Sequence, residues 1–207
     1  MELQYYGANC LRLVAKKATL VVDDNLAKLG LKTITKPTDI SLRSSSHIPE
    51  HPSHFSVDMP GEYEIAGVIV HGVPARAQSD EEGKHSAVIY TIATEDVKVA
   101  ILGHIYPDLS EDQLEQIGLV DIAVVPVGGN GYTLDGGGAL KVIKKIEPKV
   151  VIPVHYADKA IKYAVPQTEL SEALKSLAME PQETVDKYRF KPGEVSDTTR
   201  LIVLERQ

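Results

Sequence analysis

Glu147-Pro148-Lys149-Val150-Val151-Ile152-Pro153-Val154-His155-Tyr156 is the stretch on which the fold turns. Pro148 lacks a backbone N–H and cannot continue a helix, so it closes the one before it. Lys149 to Val154 is a short apolar run, rich in β-branched residues, of the kind that forms a strand covered on both faces. His155 stands directly after that strand. Upstream, Leu140, Ile143 and Ile146 recur at three-residue steps, which predicts a helix over 139–146. Further back, Asp121 to Val127 is a second apolar strand. Strand, helix, strand in this order predicts a layered α/β arrangement.

The pattern extends both ways. Ser110-x-x-Gln113 is a capping box opening a short helix that carries Leu114 and Ile117 and ends at Gly118. Thr168 is read as the cap of a helix whose Leu170, Ala173, Leu174 and Leu177 share one face, and Leu201 to Leu204 is a last strand. The N-terminal half is richer in strands: Leu3 to Tyr6, Leu11 to Val14, Thr19 to Val22, Asp39 to Leu42, Glu62 to Ile65, Val68 to Val73, Ala87 to Ile92 and Val97 to Leu102. Ala66-Gly67 reads as a hairpin turn. Residues 25–38 read as a loop or short helix. Residues 44–54, polar, broken by Pro49 and Pro52, and holding three histidines, read as a loop. With no repeat and no long linker, one domain spanning residues 1–207 is expected.

The composition narrows the function. The 207 residues carry a net charge of −7, which argues against nucleic-acid or anionic-membrane partners, because phosphate contacts draw on Lys and Arg. Two Phe and no Trp leave the core to aliphatic residues. Cys10, the single cysteine, rules out an internal disulfide and reads as a small core residue. No apolar run approaches the length of a membrane span, and the start has no secretory pattern, so a cytoplasmic location is expected. A phosphate loop, a complete dinucleotide fingerprint and a G-x-S-x-G elbow are all absent; the glycines at 128–138 read as shaping a tight loop.

Seven histidines remain as the chemistry-bearing residues. His104 and His155 each follow a strand, and residues at strand ends converge on one edge of a sheet. His47, His51 and His54 crowd the Pro-broken loop. Imidazole suits zinc, manganese or iron. Each histidine alone also reads as a surface or capping residue; position after a strand favours His47, His104 and His155 as ligands. His71, in mid-strand, and His85, in a charged turn, read as structural or solvated.

Several stretches together resemble the metallo-β-lactamase superfamily, in particular its small members similar to ascorbate-6-phosphate lactonases. These are Tyr5 to Cys10, Leu20 to Asp23, Pro60-Gly61-Glu62-Tyr63-Glu64, Val120 to Gly129, Tyr132 to Asp135, and Glu147 to Tyr156. The resemblance implies an αββα sandwich. It also exposes departures. The family's T-H-x-H-x-D-H pattern falls on Ser44 to Glu50, where only His47 survives; Glu50 stands where the last histidine belongs, and a slip of one residue brings in His51. Ala77 falls where a further histidine is expected, His104 replaces the bridging aspartate, Asn9 replaces the histidine of the early turn, and His155 is retained.

A two-metal hydrolase needs about six ligands and a bridging carboxylate to hold both ions and a hydroxide. The residues therefore predict a divergent member without the dinuclear site, non-catalytic or binding a small molecule, with no cofactor. The alternative is a single zinc or manganese ion held by His47, His104 and His155, with Glu50 or His51 completing it, in a hydrolase of a small phosphorylated or lactone substrate. A structural subunit is a third class to which no residue points.

Overall fold

The computed structural model describes residues 1–190 and 198–207. Two sheets are stacked. The first contains, in spatial order, β13 (Tyr188–Arg189), β1 (Glu2–Gly7), β2 (Cys10–Val14), β3 (Thr19–Val22), β4 (Ile40–Leu42) and β5 (Phe55–Val57). The second runs β12 (Pro181–Val185), β14 (Arg200–Leu204), β11 (Val150–Val154), β10 (Ile122–Pro126), β9 (Lys98–Ile101), β8 (Ala87–Ala93), β7 (Val68–Ala75) and β6 (Gly61–Ile65). From β12 to β9 this sheet is parallel, and from β9 to β6 antiparallel.

Strand periodicity sorts the apolar residues into layers. Leu3, Leu11, Leu13, Leu20 and Val22 of the first sheet meet Val70, Ile92, Val99, Val124 and Ile152 of the second in one buried cluster. The alternate residues of the second sheet, among them Ala123, Val125 and Val151, face outward under the helices α1 (Glu111–Ile117), α2 (Gly136–Ile146) and α3 (Leu170–Leu177). The continuous apolar runs of β10 and β11 follow from this: both of their faces are covered. On the other side, Cys10 and Val21 pack beneath Leu26 of a 3₁₀ turn spanning Leu26–Leu29. The result is the αββα sandwich expected from the sequence, with a thin outer layer over the first sheet.

The Ser110 capping box is present, and Asp135 caps α2 by accepting from the Gly138 N–H. Thr168 does not cap α3; its N-cap is Glu169, without a side-chain bond. Thr168 is instead occupied through its backbone, its N–H bound to the Gly128 carbonyl and its carbonyl to the Ala157 N–H. Two strands lack a sequence signal. β12 is exposed and polar, as an edge strand opening on a proline can be; β13 is two residues long. Among the described residues no helix is long and apolar enough to cross a membrane.

Candidate functional site

At one end of the sandwich the segments leaving β1, β3, β4, β9, β10 and β11 come together. Three strained or crowded positions mark it. Gly103, after β9, has φ +62°, and a Cβ there would lie 2.6 Å from Ser44 Oγ. Asp23, after β3, has φ +49°, and His155, after β11, has φ +56°. Left-handed backbone at non-glycine residues is held only where surrounding bonds fix it. The His155 N–H donates to the Ala8 carbonyl at 2.9 Å, and the Asp23 N–H to the Leu42 carbonyl. The first bond ties the two sheets together beside the site.

His104 and His155 are brought together. Their rings lie 5.3 Å apart between centroids and nearly perpendicular, with Tyr132 4.8 Å from His104 and 5.7 Å from His155. Both histidines are buried. Burial, reinforced by the neighbouring His155 and His47, pushes the His104 pKa down to about 3. Burial likewise lowers His155 to about 4, against an opposing hydrogen bond from Gln167. Both rings are therefore neutral near pH 7.

Their partners are amides. Asn9 Nδ2 lies 3.2 Å from His104 Nδ1, and Asn9 Oδ1 is buried without a hydrogen-bond partner. His155 Nδ1 is 3.0 Å from Gln167 Oε1. The buried Asp23 carboxylate accepts twice from Ser44: Oδ1 from its N–H at 2.7 Å and Oδ2 from its hydroxyl at 2.6 Å. Its burial raises the pKa to about 6 in spite of those two donors.

His47 is exposed and lines a small pocket with Ser45, Gln78, His104 and Tyr132. Glu50 and His51 line a different surface concavity, together with His54. His51 Nε2 faces the Asp24 carbonyl at 2.7 Å, and a carbonyl can only accept, so this nitrogen donates. His71 lies in β7 and His85 is exposed, while Cys10 is fully buried with its thiol pushed up by burial. Gln167 and Tyr163, whose ring is 5.1 Å from His155, had no motif to announce them.

A metal centre needs several donors converging on one point. Among the described residues no three His, Cys, Asp or Glu side chains gather as an ion would need. A dinuclear centre further requires a bridging carboxylate, and the Asp23 carboxylate at this end already accepts one hydrogen bond from Ser44 on each oxygen.

A family model described as the beta-lactamase superfamily domain matches residues 2–155. A metal-dependent hydrolase from Thermococcus onnurineus is 30% identical over 139 residues, covering 65% of this chain and 58% of that protein. One from Pyrococcus horikoshii is 33% identical over 101 residues, covering 46% and 44%. The matched stretch thus spans less than two thirds of either relative. Among solved structures, a metallo-beta-lactamase superfamily member from Thermotoga maritima superposes with a TM-score of 0.75 at 24% identity, over 99% of this chain and 98% of the other. A metallo hydrolase from Ignicoccus hospitalis gives 0.59 at 16% identity, over 86% and 90%. At these identities the superpositions establish the shared fold.

Proposed function

The chain belongs to the beta-lactamase superfamily, and we propose that within it this protein works without the two-metal centre, its cleft receiving a small uncharged ligand. One observation carries the reading: the two buried histidines are flanked by the amides of Asn9 and Gln167 rather than by carboxylates. Two dications close together need anionic ligands to offset their repulsion. Neutral imidazoles and amides supply hydrogen bonds but no negative charge. Ser45, Gln78 and Tyr132 continue the same chemistry along the pocket wall.

A second reading keeps one zinc or manganese ion in a hydrolase of a small phosphorylated or lactone substrate. It is favoured by His47 sharing the pocket of His104, and by relatives named metal-dependent hydrolases. His47, His104 and His155 would hold the ion; Glu50 and His51, expected to complete its shell, line a separate concavity instead. A bound ion would polarise a carbonyl or activate water there.

Elemental analysis of protein purified without chelator separates the two. The first reading expects far less than one zinc or manganese per chain, and an unchanged melting temperature when either metal is added. Near-stoichiometric metal, lost in both His47→Ala and His155→Ala, would establish the second. Saturation at a hundredfold over the dissociation constant would then add about 2.7 kcal/mol of stability.

A further inference from the structure

Gln167 lies twelve residues beyond His155, in a segment without helical or strand periodicity, yet the chain fixes its amide closely. The Thr168 N–H donates to the Gly128 carbonyl at 2.9 Å, the Ala157 N–H to the Thr168 carbonyl at 2.9 Å, and Asn130 Nδ2 to the Pro166 carbonyl at 2.8 Å. These bonds fasten residues 166–168 across the loop after β10 and the turn after β11. Gly128 makes room for the result. A Cβ at that position would stand 2.0 Å from Gln167 Oε1 and 2.2 Å from the His155 carbonyl oxygen, so no other residue fits without displacing both.

The orientation of the amide follows from its other end. Gln167 Nε2 lies 2.9 Å from the Val165 carbonyl, which can only accept, so the amide nitrogen must face it. The Gln167 oxygen therefore faces His155 Nδ1, 3.0 Å away. An oxygen that only accepts requires a proton on the ring nitrogen opposite. We infer that Gln167 is a positioning residue that holds neutral His155 as its Nδ1–H tautomer, so that Nε2 offers a lone pair. Nε2 is the ring atom opposite the one Gln167 occupies.

The chemical consequence is a constraint on what His155 can take. A lone pair accepts a hydroxyl or amide N–H, or fills the empty orbital of a cation; it repels the oxygen of an anion. Hydrogen bonds to the far nitrogen commonly orient metal-bound imidazoles in this way. The assignment holds whether the cleft receives an uncharged ligand or a single ion, so its failure would leave the functional reading standing.

Long-range ¹H–¹⁵N spectra of the histidine side chains at neutral pH test it, with the His155 signals assigned by their absence from His155→Asn. The expected wild-type pattern is a protonated Nδ1 and a bare Nε2. Gln167→Glu, which retains an accepting oxygen but adds a negative charge, should keep the proton on Nδ1, whether or not Nε2 is protonated as well. Gln167→Leu should lose it, and so should Gly128→Ala, which displaces the amide without changing it. A wild-type spectrum with the proton on Nε2 would overturn the assignment, as would an unchanged tautomer in Gln167→Leu. The wild-type and Gln167→Glu spectra decide the matter even where Leu or Ala at these positions impairs folding.

Discussion

The histidines that follow strands and those in the 44–54 loop are the same residue type under opposite constraint. His104 and His155 are buried, rest on left-handed backbone at Gly103 and at His155 itself, and have their pKa values driven down by burial. His47 and His54 are exposed and His51 is half-buried, and the loop they occupy has only scattered bonds to the body of the protein. Strand ends thus fix a side chain through the sheet, whereas the loop fixes its residues one contact at a time. Acid should expose the difference most strongly. A histidine whose folded pKa lies below its ordinary 6.5 contributes stability that is complete above that value and lost as pH falls toward about 4 for His155 and about 3 for His104. Each such group costs about 1.4 kcal/mol per unit of pH.

Asp23 opposes them. Its folded pKa of about 6 lies above the ordinary 3.8, so its contribution is complete in acid and disappears as pH rises to about 6. Between pH 6 and 4 the two histidines lose about 3 kcal/mol per unit while Asp23 returns about 1.4. Urea unfolding of the metal-free protein should therefore show stability falling by roughly 3 kcal/mol across that window. Asp23→Asn, which removes the opposing carboxylate and tolerates the left-handed backbone, should about double the fall. A profile flat from pH 6 to 4 would mean that the strand-end histidines are no more constrained than those of the loop.

Gly103 sharpens the same contrast sterically. At φ +62° an alanine is strained, and its Cβ would press on Ser44 Oγ at 2.6 Å and Ser44 Cβ at 2.9 Å. Strain and overpacking together should cost about 2 kcal/mol. The midpoint of urea unfolding should fall with its slope unchanged. Gly67, in the β6–β7 hairpin, also has positive φ, but nothing lies within 4 Å of a Cβ built there. Gly67→Ala should thus lose only the conformational part, and the gap between the two variants measures how tightly Ser44 is clamped beneath the site.

That contrast also explains what the sequence could disclose. Strand periodicity and the abrupt end of each apolar run place His104 and His155 at a sheet edge, and the alternation of Leu11, Leu13 and Cys10 assigns each residue to its layer before any coordinate is known. The 44–54 stretch discloses that it is a loop, because two prolines forbid regular pairing. It does not disclose direction: the sequence favours His47 by its place in the family pattern but does not show that His47 lies beside His104 while His51 turns toward Asp24. Gln167 is hidden for a related reason. Its place depends on backbone bonds to Gly128 and Ala157, which leave no trace in side-chain pattern, and the same bonds draw Thr168 away from capping α3. The edge strand β12 stays hidden because it is polar and exposed, the composition of a loop.

The smallest effect belongs to the loop, and it tests the contrast from the other side. His51 Nε2 donates to the Asp24 carbonyl at 2.7 Å. The Asp24 carboxylate meanwhile accepts from Thr33, Ile34 and Thr35, bonds that hold its pKa low against burial. Asp24 thereby organises residues 33–35 with its side chain and tethers the histidine loop with its backbone. His51→Ala removes only the tether. One hydrogen bond at a half-buried site is worth about 1 kcal/mol, so stability at pH 7 should drop by that amount. The slope of stability between pH 6 and 4 should not change, since neither strand-end histidine nor Asp23 contacts the lost ring. A changed slope would show that the loop reaches into the electrostatics of the cleft, and would make His51 a working neighbour of His104 rather than a fastening at its rim.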